Sequence, residues 1–309
     1  MRRAVVFAYH DVGVRCLSVL LAHGVDVALV VTHADNPQEN IWFGSVAQLA
    51  ARHDVPVEFD PDTDDPAFLQ RIATLRPELL FSFYYRSMLP TAVLDLVEGR
   101  AYNMHGSLLP HYRGRVPVNW AIVNGERRTG ATLHEMVAKP DAGRLVDQLA
   151  VPILPNDTAV EVFRKVTTAA EMVLDRSLPA LLDGTAQLTA QNLAAGRYYG
   201  GRKPEDGRID WRWPGAQIHN LVRAVAPPYP GAFCDVGGRR LDLLGTWDDG
   251  QAPGPATAPT LAAHAGQLRL TCADGKQLTV LAARLDGVAL TADNFATLAG
   301  TPRWVLTTH

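Results

Sequence analysis

The chain has 309 residues, room for about two domains at ~150 residues each, and its 47% hydrophobic and 20% charged residues exclude a disordered chain. With 29 Lys and Arg against 32 Asp and Glu the net charge is −3, which excludes a broad basic surface of the kind that grips a nucleic-acid backbone. No apolar run approaches the ~20 residues of a membrane span, the opening Met-Arg-Arg and Ala4–Ala8 are too short and ill-flanked for a signal peptide, and Cys16, Cys234 and Cys272, scattered and odd in number, fit a reducing, cytoplasmic compartment with no disulfide framework.

In chain order, the apolar run Ala4–Ala8 predicts a first strand, and Val14, Leu17, Leu20 and Leu21 give helical spacing over Val14–His23. Val25–Val31 reads as a β-branched strand, Trp42–Arg52 as a helix, Val55–Phe59 as a strand, Ala67–Leu75 as a helix, Leu79–Phe83 as a buried strand, Thr91–Val97 as a helix and Ala101–Met104 as a short strand. This alternation implies βαβ units in an α/β domain, a doubly wound, mostly parallel sheet covered on both faces. Two more strands are expected at Thr129–Val137 and Val146–Ile153, then a long helix over Asp157–Leu182, capped by Asn156 or Asp157, closed by Gly184, and kinked or shortened by Pro179.

The texture then changes. Ala186–Pro204 is polar and glycine-containing and reads as a linker, followed by a helix at Gln217–Ala226. Short strand-like runs at Ala232–Val236, Arg240–Leu244, Gln267–Cys272 and Gln277–Ala282, broken by the loop Pro253–Pro259, suggest a small all-β barrel or sandwich.

Polar, Gly and Pro residues concentrate in Asn103–Pro117, directly after a buried strand, where ligands of open parallel sheets bind. Asn103 and His105 are two apart and in extended backbone point the same way. His105 has the residue type to exchange protons near neutral pH, and Asn103 to donate an N–H to a developing oxyanion. The same stretch also fits a turn rich in special residues, with His105 capping a backbone carbonyl. Asp141, between two predicted strands, is the candidate carboxylate to orient His105, or an ordinary turn aspartate before Gly143. The loop after the first strand, Tyr9-His10-Asp11-Val12-Gly13, lacks G-x-G-x-x-G, and no P-loop, H-E-x-x-H or G-x-S-x-G is present. No metal site is expected from the histidine spacing.

Asn103-Met104-His105-Gly106-Ser107-Leu108-Leu109-Pro110, Tyr112-Arg113-Gly114, Pro117 and Asp141-Ala142-Gly143 resemble the signature of the 10-formyltetrahydrofolate-dependent formyltransferases. Gly201–Trp211, Asn220–Ala224 and Pro230–Ala232 resemble the start of that family's C-terminal domain. The resemblance implies a Rossmann-like catalytic domain over 1–185, a linker over 186–203 and a smaller OB-like β-barrel over 204–309. It implies that Asn103 stabilises the tetrahedral intermediate, that His105 is the proton donor, and that Asp141 is the carboxylate tuning that histidine. Folate contacts are implied for Ser87, Met88, Leu89, Arg115 and the stretch Val137, Ala138, Lys139, Pro140 and Asp141. The co-substrate implied is 10-formyltetrahydrofolate, without a metal.

Within the family, Phe7–Asp11, Thr32-His33 with Asp35–Pro37, and Phe81–Arg86 are most similar to the branch that formylates UDP-4-amino-4-deoxy-L-arabinose for lipid A modification. That branch carries a second, decarboxylating domain, so this chain reads as a stand-alone first part whose amino-sugar precursor a separate protein supplies. The implied partner is a nucleotide sugar, with no nucleic acid and no membrane span. The alternative is methionyl-tRNA formyltransferase; against it, His33–Asn40, where that branch has a basic insertion, holds no Lys or Arg.

Overall fold

The structure, a computed structural model, describes residues 2–306. The chain divides into two compact units, one of Met1–Pro117, Thr129–Val151 and Phe163–Gly200, the other of Val118–Arg128, Pro152–Val162 and Gly201–His309.

The first unit opens with β1 (Arg3–Ala8), α1 (His10–Ala22), β2 (Asp26–Thr32), α2 (Val46–Arg52), β3 (Val57–Phe59), α3 (Pro66–Thr74), β4 (Leu79–Phe83), α4 (Thr91–Leu94) and β5 (Ala101–His105). In chain order there follow a two-residue strand β6 (Arg113–Gly114), α5 (Pro117–Val123), β7 (Arg128–Glu135), β8 (Leu145–Pro152), α6 (Ala159–Asp183) and a second two-residue strand β9 (Tyr198–Tyr199), of which α5 and the first residues of α6 belong to the second unit. Seven strands form one sheet in the order β3-β2-β1-β4-β5-β7-β8. Strands β1 to β5 pair in parallel, and β7 runs antiparallel to β5. Every residue of Ala4–Ala8 and of Leu79–Phe83 is buried, so successive side chains find cover on opposite faces. Phe7 and Phe68 meet edge to face at 6.3 Å within the core on one side.

Three expectations shift. The helix expected over Trp42–Arg52 starts only at Val46, because Ser45 caps it by accepting the Gln48 N–H at 3.3 Å. Trp42 and Phe43 are thereby left in the preceding loop. Pro179 neither ends nor shortens α6, which runs to Asp183. Pro179 is exposed, so the carbonyl it leaves without an N–H partner is on the solvent side. Helix α6 begins at Ala159, which puts Thr158 rather than Asn156 or Asp157 at its N-cap position, and the Thr158 N–H and hydroxyl both donate to Glu161 Oε2 (2.7 and 2.8 Å).

The second unit holds α5, the first residues of α6, α7 (Gly215–Ala224), β10 (Ala232–Val236), β11 (Arg239–Trp247), β12 (Thr260–His264), β13 (Gln267–Thr271), β14 (Gln277–Leu285), β15 (Val288–Leu290), α8 (Phe295–Ala299) and β16 (Arg303–Val305). Its sheet is antiparallel, in the order β10-β11-β14-β13-β12-β16 with β15 on β14. The expected closed barrel is not formed: among the described residues the path ends at β10 and at β16 without joining. Alternating apolar residues require only that each strand have a covered face. Helix α7 supplies that cover, with Ile218, Leu221 and Val222 in one buried cluster with Leu241, Leu243 and Leu278. Buried His219 is partnered on both ring nitrogens: it donates from Nε2 to the Pro155 carbonyl (3.0 Å) and accepts the Thr246 hydroxyl at Nδ1 (2.7 Å).

Candidate active site

Period-two geometry sends Asn103 and His105 out of the same face of β5, at its carboxyl end. The antiparallel register sets His134 of β7 directly opposite Asn103, and Thr132 opposite His105. Opposed residues share a face, so Asn103, His105, Thr132 and His134 converge. Asp141 reaches this group from the loop between β7 and β8, itself in the left-handed region at φ 52°. Its Oδ1 lies 3.6 Å from His105 Nδ1 and 3.6 Å from His134 Nε2. Its Oδ2 accepts the Gly114 N–H at 2.7 Å. The loop carrying Asp141 is held from below: Gln191 Nε2 donates to the Asp141 carbonyl (3.1 Å) and to the Gly143 carbonyl (2.5 Å).

His105 is nearly buried and its Nε2 lies 2.8 Å from the Tyr112 carbonyl. A carbonyl only accepts, so Nε2 carries a proton. Nδ1, facing Asp141, is then the nitrogen that gains and loses one. Both readings of His105 from sequence are thus present in one geometry, because the carbonyl contact is what fixes the tautomer. Around it the loop is bonded tightly. Thr132 Oγ1 donates to the Ser107 carbonyl (2.6 Å), Gln148 Nε2 to the Leu109 carbonyl (2.7 Å), and Ser107 Oγ to the His111 carbonyl (2.6 Å).

The stretch read as a linker lies along this loop. Strand β9 pairs in parallel with β6, the Tyr112 and Tyr199 rings stack at 4.9 Å, and Arg113 Nη2 donates to the carbonyls of Leu193 (3.2 Å) and Gly196 (3.3 Å). Gly114, at φ 99°, has no room for a Cβ against the Tyr199 carbonyl. Tyr112, Val116 and Asp141 also have positive φ, as do His10 and Tyr84 at the ends of neighbouring strands. Non-glycine residues in this region store strain, and their gathering at one set of strand ends fits a functional site.

Burial by itself pushes the Asp141 carboxyl up, but His105 and the Gly114 N–H outweigh it and hold the group well below the usual carboxylate range. The ordinary value is ~3.9. A folded-state value below the unfolded one contributes stability that is full above about pH 4 and lost as the pH falls further. Asp141→Asn is therefore expected to be less stable than the wild type near neutrality, with the gap closing below about pH 4. Urea unfolding of both proteins at several pH values measures this; a gap that does not change with pH contradicts it.

Other candidate residues are placed less closely. Arg115 follows Gly114, is exposed, and is fixed through its backbone N–H to the Tyr199 carbonyl (2.9 Å). Val137, Ala138 and Lys139 are exposed, and with half-buried Pro140 they lead into Asp141. Ser87 and Met88, exposed, and Leu89, half-buried, follow β4, the neighbour of β5. They make no hydrogen bond to Asn103, His105 or Asp141.

A second convergence lies at the ends of β1, β2 and β4, where the strand order reverses direction. The Tyr9 hydroxyl donates to Asp35 Oδ1 (2.8 Å), the Arg86 guanidinium sits over the Tyr9 ring (4.7 Å), and His33 stacks on Tyr85 (4.2 Å) while its Nε2 accepts the Arg86 N–H (3.1 Å). Arg86 also forms two parallel bonds with Glu39 (2.9 and 2.8 Å). His10 stacks on Phe43 (3.8 Å) with Trp42 and Phe163 at its edges, and accepts the Asp11 N–H at Nδ1 (2.9 Å). Burial, with the Arg86 charge, pushes His10 down to about 3, so it stays neutral and carries its proton on Nε2.

Sequence reasoning missed two groups. His134 is not singled out by it as a site residue; the available signal was its alternation with Thr132 on one predicted strand. The surroundings of His10 went unseen because Trp42 and Phe43 were assigned to a helix. Among the described residues, no three His, Cys, Asp or Glu side chains are arranged to hold a metal ion, and no helix is long and apolar enough to cross a membrane.

Comparison with known proteins adds the following. Residues 15–178 match the family described as formyl transferase, and residues 202–299 match the formyl transferase C-terminal domain. Among solved structures, the chain is similar to an N-formyltransferase from Helicobacter canadensis in complex with folinic acid and dTDP-3-aminofucose. The TM-score is 0.73 at 18% identity, covering 91% of this chain and 99% of that one. It is also similar to WlaRD, a sugar 3N-formyl transferase, in the presence of dTDP and 5-N-formyl-THF, with TM-score 0.72, 17% identity and coverage of 94% and 98%. A third likeness is to HypX from Aquifex aeolicus in complex with tetrahydrofolic acid, with TM-score 0.65 and 19% identity, covering 97% of this chain and 48% of that one.

Proposed function

The chain belongs to the formyl transferase family, and from that premise we propose that it moves a formyl group from 10-formyltetrahydrofolate to the amino group of a nucleotide-linked amino sugar, UDP-4-amino-4-deoxy-L-arabinose. The observation that carries this reading is the convergence of Asn103, His105 and Asp141, with His105 Nδ1 at 3.6 Å from the Asp141 carboxylate. That is a donor, a proton carrier and a counter-charge around one point, the set that acyl transfer to an amine requires.

The folate supplies a formyl carbon bonded to a nitrogen that leaves once protonated. In this reading Asn103 donates an N–H to the formyl oxygen as it gains negative charge. His105 Nδ1 takes the proton that the attacking amine must lose and hands it to the departing folate nitrogen. Asp141 stays ionised throughout and offsets the imidazolium formed in between. Ser87, Met88, Leu89, Arg115 and Val137–Asp141 are the proposed folate contacts.

Two observations favour a nucleotide sugar as acceptor. Two of the similar solved structures hold dTDP or a dTDP-sugar. The segments 7–11, 32–37 and 81–86, which resemble the UDP-amino-sugar branch, meet at the strand ends through Tyr9, Asp35, His33, Tyr85 and Arg86. A tRNA acceptor needs many cations to displace counterions, and the one arginine here is already paired with Glu39.

The test is an acceptor panel assayed with 10-formyltetrahydrofolate: the UDP-4-amino sugar, dTDP-linked 3-amino and 4-amino sugars, and methionyl-tRNA. Preference for the UDP-sugar is expected. Preference for a dTDP-sugar replaces the named substrate and keeps the class; turnover of methionyl-tRNA alone overturns the class.

A further inference from the structure

His134 has no part in the roles given so far, yet it is 2% exposed and faces the reacting groups. Its Nδ1 lies 2.8 Å from the Glu135 carbonyl oxygen. Because that oxygen only accepts, Nδ1 carries a proton, and in the neutral ring Nε2 offers a lone pair alone. The group within reach of that lone pair is Asn103 Nδ2, at 3.0 Å. The Asp141 carboxylate, at 3.6 Å from Nε2, is beyond hydrogen-bond distance.

This matters because a primary amide has two ends of similar shape and opposite chemistry. Turned one way, Asn103 presents N–H groups; turned the other, it presents an acceptor that would repel an oxyanion. The lone pair on His134 Nε2 accepts one of the two Nδ2 hydrogens and would repel Oδ1, so it selects a single orientation. One N–H is taken by His134, and the second remains on the same nitrogen. We propose that His134 is a positioning residue that locks the Asn103 amide with its nitrogen, not its oxygen, toward the reacting carbonyl. The proposal rests on the reading of Asn103 as the oxyanion donor.

The experiment compares turnover and KM at saturating co-substrate for the wild type, His134→Phe, His134→Gln, Asn103→Ala and the double variant Asn103→Ala/His134→Phe. Phe keeps the ring and removes the acceptor; Gln restores an acceptor through its amide oxygen. His134→Phe is expected to lose ~10-fold in kcat with KM little changed, and His134→Gln to regain most of it. The double variant is expected to be no slower than Asn103→Ala alone, within ~3-fold, because His134 acts through Asn103. A double variant ~10-fold slower than Asn103→Ala, or a folded His134→Gln as slow as His134→Phe, overturns the proposal.

A measurement on the unaltered chain keeps the test open if His134→Phe does not fold. In 15N NMR spectra His134 is expected as the Nδ1–H tautomer, with an Nε2 signal that moves in Asn103→Ala. The Nε2–H tautomer overturns the proposal. Near wild-type turnover of Asn103→Ala would instead overturn the role given to Asn103, and the tautomer measurement tells these two failures apart.

Discussion

His105→Ala is expected to lower kcat by at least ~100-fold with the fold intact. The amine cannot become part of a neutral amide without losing a proton, and the folate nitrogen is a poor leaving group until it gains one. One imidazole can serve both needs, and the 2.8 Å bond from Nε2 to the Tyr112 carbonyl leaves Nδ1 for that task. Alanine removes that nitrogen and leaves the Asp141 carboxylate without the ring it faces at 3.6 Å. The surrounding loop should persist, because Thr132, Gln148 and Arg113 hold it through bonds that do not involve His105. Circular dichroism and the melting temperature check the fold. Wild-type turnover in a folded variant would remove His105 from the reaction.

The second large effect is at Asn103. Oxyanion donors of this kind are worth about 3–4 kcal/mol, or ~100- to 1000-fold in kcat, and that is the loss expected for Asn103→Ala. The interaction strengthens as charge develops on the formyl oxygen, so the loss should fall on kcat while both KM values stay within ~3-fold. Asn103→Asp should be at least as slow, since a carboxylate in the same place repels the charge that the amide attracts. A change confined to KM would show that Asn103 binds the ground state instead.

Much of this arrangement was legible in the sequence, and the rest was not for identifiable reasons. The strands at Ala4–Ala8 and Leu79–Phe83 are unbroken apolar runs, the mark of a strand buried on both faces, and they fall where expected. The common face of Asn103 and His105 follows from period two alone. Asp141 is different: its distance from His105 is set by a loop pinned from Gln191 and Gly114, and no spacing rule carries a residue across 36 positions. Its loop between two predicted strands made it a candidate, and only the resemblance tied it to His105. His134 needed the β5–β7 register, which sets which side chains oppose one another and is not a local property. The polar stretch after α6 looked like a linker because its hydrogen bonds go to a distant loop through backbone groups, which leave no trace in side-chain pattern. In the second unit β10, β11, β13 and β14 could be read while the strands β12, β15 and β16 were not, and closure could not be read, since it depends on whether α7 or another strand covers the apolar face.

The central claim is tested most directly by a single-turnover reaction of the wild-type protein with 10-formyltetrahydrofolate, labelled in the formyl carbon, and UDP-4-amino-4-deoxy-L-arabinose. The account predicts that the label appears on the 4-amino nitrogen of the sugar and that tetrahydrofolate is released in equal amount. Label recovered as formate, with the sugar nucleotide unchanged, would mean that water is the acceptor and would contradict it.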